Sequence, residues 1–175
     1  MPRNVEIKAR VPSLAALEPR AAAIADDGPV PIAQDDTFFR CAAGRLKLRD
    51  FGDGRGELIF YRRADDAGPK VSSYLRTPTA DPAGLREALA LAHGTGGRVR
   101  KRRALYLAGR TRIHLDRVDG LGDFVELEVV LADGEPPEAG VAEARALMTA
   151  LGIEPEWLVE GAYVDLLAAG GAPGG

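Results

Sequence analysis

Short segments in which charged and apolar residues alternate are the feature that most constrains how this chain can fold. The first of them, residues 3–11, places Glu6, Lys8 and Arg10 at every second position, with apolar residues between them. Side chains two residues apart point to the same face of a β-strand, so the segment has one charged and one apolar face. A chain built from such strands must bury the apolar faces and either solvate or enclose the charged ones.

A second segment of this kind lies late in the chain and carries two acids. Glu126 and Glu128 share one face of residues 123–132, opposite valine and leucine residues. Two adjacent carboxylates repel each other unless a cation lies between them. This pair therefore indicates a nearby cation.

The same alternation, together with turn residues, predicts eight strands. Gly52, Gly54 and Gly56 mark one turn, and residues 65–69 and 119–123 mark two others. Because most connections are short, we expect an antiparallel meander. We place the strands at 3–11, 33–41, 44–50, 57–64, 70–77, 97–107, 111–118 and 123–132.

Four further segments carry the features of helices. Ser13 is a candidate N-cap, and Pro19 is expected to kink the helix that follows it. Asp81 is a second candidate N-cap, with Pro82 at the first helical position. We place the helices at Ser13 to about Asp26, Asp81 to about His93, 138–150 and 155–168.

Length and composition favour one domain with an enclosed charged interior. The chain has 175 residues, of which 46% are apolar, and this is enough for a single core. Closing the strands into a barrel would remove their edges, and the helices would cover the apolar faces. We predict an α+β fold over 1–168, an eight-stranded antiparallel closed β-barrel with helices packed outside and charged faces inside. Residues 169–175, rich in glycine, alanine and proline, are expected to form a flexible tail.

The charge of the chain is unevenly distributed. Its net charge of −3 argues against a general nucleic-acid binder. Residues 98–117 nevertheless hold eight arginines and lysines against a single acid, Asp116. These basic faces lack the interleaved aromatic residues that stack on single-stranded nucleic acid. We therefore expect no nucleic-acid partner.

Cysteine usage and apolar runs bear on the compartment. The single Cys41 cannot form an internal disulfide, and a reducing environment suits it best. The N-terminus lacks an apolar signal region, and no run of 18 apolar residues occurs. We expect a cytoplasmic protein without a membrane partner, either a monomer or a homodimer.

Several predicted strands carry cations on one face. One such face alone is most often solvated surface, but here several are purely cationic while two are dominated by carboxylates. A cationic wall opposite a carboxylate cluster suits a polyphosphate with its metal ion. Charged and polar residues on these faces are Lys47, Arg49, Tyr61, Arg63, Ser72, Tyr74, Lys101, Arg103, Arg112, His114 and Asp116.

The acids on these faces offer ligands for a hard cation. Glu6, Glu126 and Glu128 present carboxylate oxygens, which suit Mg²⁺ or Mn²⁺. His114 can serve as a phosphate contact or as a structural hydrogen-bonding residue. Asp116 can pair with an arginine or support a metal-bound water.

Other phosphate and metal sites are not indicated. The glycine-rich segments 52–56 and 94–97 lack the GK[ST] ending of a Walker loop. One cysteine and two histidines in unrelated contexts argue against a zinc site. Ser72 and Ser73 lack an obvious His–Asp arrangement for a nucleophilic triad.

In their order along the chain, these motifs resemble those of the CYTH family, also called triphosphate tunnel metalloenzymes, whose name joins class IV adenylate cyclase and thiamine triphosphatase. The family's first-strand signature, E-x-E-x-K, reads Asn4-Val5-Glu6-Ile7-Lys8 here, so Asn4 replaces the first glutamate. Several motifs are closest to the class IV cyclase-like branch. The most specific match is GLGDFVELE at 120–128, and others are RLKLR at 45–49, LIFYRR at 58–63, KRRALY at 101–106, RIHLD at 112–116 and YVDLL at 163–167.

The resemblance implies a tunnel that binds a triphosphate with Mg²⁺ or Mn²⁺. It implies that Glu6, Glu126 and Glu128 bind the metal, while Asn4 either weakens a second metal site or serves as a neutral oxygen ligand. The expected catalytic residues are Glu6, Lys8 and Asp116. The expected phosphate-binding residues are Lys8, Arg10, Lys47, Arg49, Arg63, Lys101, Arg103 and Arg112, and further candidate substrate contacts are Tyr61, Ser72, Tyr74 and His114.

Three functions fit such a tunnel, and the sequence leaves them open. Hydrolysis of an inorganic or organic triphosphate asks least of the site, because it needs no base pocket. Cyclisation of ATP to cyclic AMP and pyrophosphate, as in class IV adenylate cyclases, is the alternative. A non-catalytic polyphosphate- or nucleotide-binding module is the third, motivated by Asn4. Residues 146–175 contain no lysine or arginine, so the basic residue that thiamine triphosphatases place over the tunnel has no counterpart.

Overall fold

The computed structural model describes residues 1–64 and 67–170, and in that part of the chain it has the predicted α+β composition. The strands are β1 (Arg3–Arg10), β2 (Asp27–Phe39), β3 (Arg45–Asp50), β4 (Gly56–Arg63), β5 (Lys70–Thr79), β6 (Thr95–Ala108), β7 (Thr111–Val118) and β8 (Gly122–Leu131). The helices are α1 (Leu14–Ile24), α2 (Pro82–His93), α3 (Pro137–Leu151) and α4 (Tyr163–Ala168), and a 3-10 helix spans Pro155–Trp157.

The eight strands form one antiparallel sheet that closes on itself. Their order is β1-β5-β4-β3-β2-β6-β7-β8, and β8 pairs back with β1. In the β1–β8 pair, Lys8 lies opposite Glu126 and Glu6 opposite Glu128. Closure gives every strand two neighbours, although β1 pairs with only residues 70–73 of β5. The predicted eight antiparallel strands are thus confirmed as a ring. The predicted meander is wrong for the whole sheet, because β1 lies between β5 and β8 and β2 pairs with β6.

Strand β2 begins well before the predicted start at residue 33. Pro29 and Pro31 had broken the alternation, because proline lacks the N–H that a strand ladder needs. The ladder with β6 is irregular between Asp27 and Val30 and regular from there to Phe38. The β2–β6 pair is therefore longer than the sequence indicated.

The two predicted N-caps of α1 and α2 are confirmed. The hydroxyl of Ser13 accepts a hydrogen bond from the Ala15 amide at 3.2 Å, and a carboxylate oxygen of Asp81 accepts one from the Gly84 amide at 2.9 Å. Pro19 lies inside α1 without ending it.

The predicted helix over 155–168 is wrong in its first half. That segment divides into the 3-10 helix and α4, with an extended stretch between them. Leu158 forms an isolated bridge with Ala9 of β1, and Gly161 has a φ of 76°. A helix cannot continue through a left-handed residue, so α4 starts only after Gly161.

The apolar faces of β1, β7 and β8 form a core with α1 and α3. Val5, Ile7 and Leu127 are at most 1% exposed and lie in one cluster with Leu14 and Leu151 from the helices. Each such side chain contributes roughly 1.5–3 kcal/mol when fully buried. The helices therefore cover apolar strand faces, as predicted, and the charged faces point inward.

A second apolar cluster closes one end of the ring. It joins inward-facing strand residues to the start of α4, where Tyr163 packs edge-on against Phe124 with ring centroids 4.9 Å apart. We call this cluster the floor; its buried members are Phe38, Val99, Val118, Leu121, Phe124, Ala162, Tyr163 and Val164.

Two predictions concern residues that the structure does not describe. Asp65 and Asp66 of the predicted turn at 65–69 lie outside the described ranges, as do residues 171–175 of the predicted tail. Across 1–64 and 67–170, no helix has the length and apolarity that crossing a bilayer would require.

Candidate functional site

A cavity of about 360 Å³ lies inside the closed sheet. Its size is within the range of roughly 300–1,000 Å³ that is usual for small-molecule sites. All eight strands contribute to its lining, and Ala162 and Tyr163 contribute from the floor. The charged strand faces thus enclose a space that a small molecule can enter.

The structure brings most of the predicted site residues together around this cavity. The predicted residues that line it are Asn4, Glu6, Lys8, Lys47, Arg49, Tyr61, Arg63, Ser72, Tyr74, Lys101, Arg103, Arg112, His114, Glu126 and Glu128. Only Arg10 and Asp116 of the predicted set are not among the lining residues.

Arg10 lies at the floor rather than at the cavity. Its guanidinium carbon is 5.0 Å from the centroid of the Phe124 ring, over the ring face. The alternation placed Arg10 on the correct face of β1, but the strand continues past the end of the cavity. The predicted phosphate contact from Arg10 is therefore not supported.

Asp116 lies behind the cavity wall, fully buried, and holds Arg103 in place. The two nitrogens Nε and Nη2 of Arg103 each donate to its carboxylate at 2.7 Å, and the Tyr163 hydroxyl donates at 2.9 Å. Burial acts to raise the pKa of Asp116. The positive charges of Arg103 and Lys101 outweigh this effect and hold that pKa at about 2. Of the two roles left open by the sequence, the structure favours pairing with an arginine.

Glu126 lies where β1, β6 and β7 converge. Arg103 Nη2 donates to its Oε2 at 2.7 Å, Lys8 Nζ lies 3.5 Å from Oε1, and His114 Nδ1 lies 3.5 Å from Oε2. Burial acts to raise the pKa of Glu126. The positive charges of Lys8 and Lys101 outweigh this effect and hold that pKa well below its usual range. The carboxylate therefore stays ionised inside the protein.

Glu6 does not join the other two glutamates of the predicted metal set. Its carboxylate forms an ion pair with Arg63, whose Nη2 also donates to the Gly161 carbonyl at 3.0 Å. The group of potential ligands that converges is His114, Glu126 and Glu128, whose ligand atoms lie within 4.8 Å of one another. The sequence predicted two of these three as metal ligands.

Asp36 is a cavity residue that the sequence analysis missed. It is 1% exposed, and its carboxylate accepts three hydrogen bonds. Lys47 donates one at 2.7 Å, and two nitrogens of the Arg49 guanidinium each donate one at 2.8 Å. The alternation of Gln34 and Asp36 along the predicted strand could have revealed it. The neighbouring Asp35, which points outward, obscured that signal.

Tyr163 is a second cavity residue without a predicted site role, because the predicted helix over 155–168 and the YVDLL motif do not show which side chain faces the cavity. Its ring faces two cavity cations, with Lys8 Nζ 4.2 Å and Lys101 Nζ 4.7 Å from the ring centroid. The floor is therefore a cation–π surface as well as an apolar seal. Other lining residues without a predicted site role include Glu57 and Arg76.

The lining carries an excess of positive charge. Among the described residues, eight lysines and arginines line the cavity together with five aspartates and glutamates. Burial lowers the pKa of Lys47 to about 7 and that of Lys8 to about 8, so repulsion and desolvation already weaken the cationic forms. A bound polyanion would relieve this strain, since buried like charges are costly without a partner.

Some buried polar atoms at the cavity are available to a ligand. Asn4 Oδ1, Gln34 Oε1 and His114 Nδ1 have no hydrogen-bond partner among the described residues, and each of these side chains belongs to a residue at most 5% exposed. An unsatisfied buried polar group costs about 1–3 kcal/mol. Two carboxylates, an imidazole and an amide oxygen are donors that fit a divalent ion.

The comparisons with known proteins agree with this geometry. The CYTH domain model matches residues 2–163. No curated protein matches the sequence.

Solved structures share the fold over nearly the whole chain. The PH1012 protein of Pyrococcus horikoshii OT3 is 23% identical with a TM-score of 0.83, covering 93% of this chain and 98% of its own. A candidate adenylate cyclase from Vibrio parahaemolyticus is 20% identical with a TM-score of 0.73, covering 94% and 97%. HpAC1 from Hippeastrum, described as having a dominant triphosphatase activity, is 20% identical with a TM-score of 0.65, covering 96% of both chains.

Proposed function

Because the chain belongs to the CYTH family, we propose that it is a divalent-metal-dependent triphosphatase whose closed sheet acts as a tunnel for the substrate. The observation that carries the proposal is the enclosed cavity, where eight cationic side chains surround a carboxylate–imidazole cluster. A triphosphate chain supplies the negative charge that this wall lacks, and a divalent ion suits the cluster. We also propose that residues 1–168 form one domain.

In this proposal the cationic residues bind and orient the phosphate chain. Lys101 and Arg103 lie beside the floor, and Lys47 and Arg49 lie on another wall of the cavity. Arg103 is held by two hydrogen bonds to Asp116, so its guanidinium is fixed at the cavity wall and need not reorganise when a phosphate binds. The expected roles of Lys8, Arg63 and Arg112 are further phosphate contacts.

Glu126 and Glu128 would hold the metal ion, which would neutralise phosphate charge and make a water molecule more acidic. The oxygen of water attacks the terminal phosphorus, and the bond from that phosphorus to the bridging oxygen breaks. The products are orthophosphate and the shortened phosphate chain, with a proton released. The fixed cations stabilise the charge that builds up on the bridging and terminal oxygens.

The likeness to HpAC1, whose dominant activity is described as that of a triphosphatase, supports hydrolysis. The second candidate function is cyclisation of ATP, supported by the likeness to a candidate adenylate cyclase from Vibrio parahaemolyticus. The apolar lining residues Ile32, Phe51 and Leu105 could contact a nucleobase in that case. Both reactions use the same phosphate site and differ in which oxygen attacks which phosphorus.

Phosphorus NMR of the products separates these functions. We expect purified protein, incubated with tripolyphosphate or ATP and with Mg²⁺ or Mn²⁺, to release orthophosphate. Cyclic AMP with pyrophosphate would favour the cyclase instead. Binding of both compounds without turnover under either ion would overturn the enzymatic proposal and leave a binding module.

Glu126→Gln is the matched test of the metal role. The amide has the shape of the carboxylate but lacks its charge, so we expect metal-dependent turnover to fall by at least about 100-fold, in line with the loss of a charged group at the site. Circular dichroism should show an unchanged fold. Full activity in this variant would contradict the metal role of Glu126.

A further inference from the structure

We propose that His114 is a third ligand of the metal ion held by Glu126 and Glu128, bound through its Nδ1 atom. The inference rests on the proposed function, and it adds a nitrogen donor to a site otherwise made of carboxylates. Such a site favours Mn²⁺ over Mg²⁺, because imidazole binds first-row transition metals well and Mg²⁺ requires oxygen ligands.

The position of His114 supports a role as ligand rather than as a hydrogen-bond donor. The residue is 4% exposed, and its Nδ1 has no hydrogen-bond partner among the described atoms. Nδ1 lies 3.5 Å from Glu126 Oε2 and 3.9 Å from Glu128 Oε1, and both distances are long for a hydrogen bond. One ion between the three atoms would satisfy all of them.

The backbone fixes this convergence. His114 of β7 lies directly opposite Glu126 of β8 in the strand register, and Glu128 is on the same face two residues along. Directly opposed residues in an antiparallel pair have neighbouring side chains. The three donors are therefore held on rigid strands rather than on a loop.

An ion at this position would share the two glutamates with three cations: Arg103 and Lys8 beside Glu126, and Arg112, which donates to Glu128 at 3.1 Å. Arg103 contacts Glu126 through Nη2, but the same side chain forms two bonds to Asp116. When an ion binds Glu126, Arg103 therefore keeps a buried anionic partner.

The first strand also leaves the third ligand position to His114. Glu6 is engaged by Arg63, and Asn4, which also lines the cavity, is neutral. Among the described acids and histidines, the ligand group that converges comes from β7 and β8. The imidazole would add a third protein donor to the two carboxylates.

Electron spin-echo spectroscopy of Mn²⁺ bound to the untagged protein tests the inference. A directly bound imidazole nitrogen produces envelope modulation from ¹⁴N, and we expect this signal in the wild-type protein. The chain has only two histidines, and His93 is exposed at the end of α2. His93→Gln should therefore keep the nitrogen signal, and His114→Gln should lose it.

Metal titrations give a second, independent readout. We expect His114→Gln to weaken Mn²⁺ binding by about tenfold or more, the scale of effect seen when ligand shells are altered. Mg²⁺ binding should change much less, so the preference for Mn²⁺ should shrink. His93→Gln should leave both affinities unchanged.

The outcomes separate this inference from the proposed function. Mn²⁺ that binds the wild-type protein without nitrogen modulation overturns the role of His114 and leaves a metal-dependent triphosphatase possible. Absence of Mn²⁺ and Mg²⁺ binding, with and without tripolyphosphate, overturns the metal dependence itself. Because the wild-type spectrum decides the question, the test does not depend on whether a variant folds.

Discussion

At the scale of single residues, Lys47 shows how the closed sheet prepares a site for an anion. Burial lowers its pKa to about 7, although Asp36 partly opposes this. The ammonium is therefore largely charged below pH 7 and largely neutral above it. A bound phosphate oxygen favours the charged form, so binding should raise the pKa of Lys47 again.

We predict that tripolyphosphate binding at pH 8 takes up protons and that affinity falls as pH rises through 7 to 9. Calorimetric titrations in two buffers with different ionisation enthalpies measure the proton uptake directly. Lys47→Arg is the control, because arginine stays charged throughout, and its uptake reports only the other groups and the ligand. Equal uptake by both proteins would contradict the assignment to Lys47.

Asp36 and its neighbour Asp35 offer a matched comparison of an inward and an outward acid. Asp36→Asn leaves Lys47 and Arg49 buried without their anion, and we expect it to lower the free energy of unfolding by about 3–5 kcal/mol. Asp35 pairs with Arg98 and Arg100 at the surface, so Asp35→Asn should cost no more than about 1 kcal/mol.

Urea denaturation of both variants measures these costs. Tripolyphosphate should restore part of the stability lost by Asp36→Asn, because it supplies a new anionic partner to the same cations. If both variants lose similarly little free energy of unfolding, Asp36 is not needed to stabilise the buried cations Lys47 and Arg49.

At the scale of secondary structure, α3 can pack closely on β1 and β8 only because Gly140 has no side chain. A Cβ atom at this position would lie 2.9 Å from Val5 Cγ2 and 2.8 Å from Leu131 Cδ2. We expect Gly140→Leu to push the helix away and lower the free energy of unfolding by about 1–3 kcal/mol. Ala139→Leu, one residue earlier on the exposed side, should change it by no more than about 0.5 kcal/mol.

Denaturation curves of the two leucine variants test this packing. If both variants unfold at the same denaturant concentration as the wild type, the close contact between α3 and β1 is not required. A loss confined to Gly140→Leu would show that the helix and the first strand form one unit.

The strands were predictable because their signal is local. In β1, β7 and β8, charged and apolar residues alternate with a period of two, and this pattern can be recognised without knowing which strands pair. The charged positions of the pattern also identify the face that points inward. The start of β2 was not predictable, because its pairing with β6 overrides the prolines at 29 and 31. The break before α4 was missed for a similar reason, since the bridge between Leu158 and Ala9 forms only in the folded protein.

The sequence predicted which residues line the cavity better than it predicted the role of each residue there. The alternation identifies residues that face the cavity but not which of them pair with each other. Arg103 therefore read as a free phosphate contact, although two of its bonds go to Asp116. The partner of Glu6 was also unpredictable, because Arg63 lies on another strand that the sequence alone cannot place beside it.

At the scale of the whole molecule, the sheet encloses a cavity whose lining is net positive, although the chain as a whole is net negative. The chain carries a net charge of −3, while the cavity lining carries more bases than acids. The average charge therefore conceals an interior that favours anions. Exposed ion pairs respond to salt screening, but enclosed charges respond mainly to a ligand that enters the cavity.

We predict that tripolyphosphate stabilises the protein far more than potassium chloride of equal ionic strength. At a concentration 100 times its Kd, the ligand should raise the free energy of unfolding by about 2.7 kcal/mol, because it binds only the folded state. Lys101→Met, with a buried cavity side chain, should lose most of this effect, whereas Arg117→Met, whose side chain is 64% exposed, should keep it. Thermal unfolding measures both. Equal stabilisation by the two salts would mean that the enclosed cations do not form an anion site, because screening alone would then account for the response.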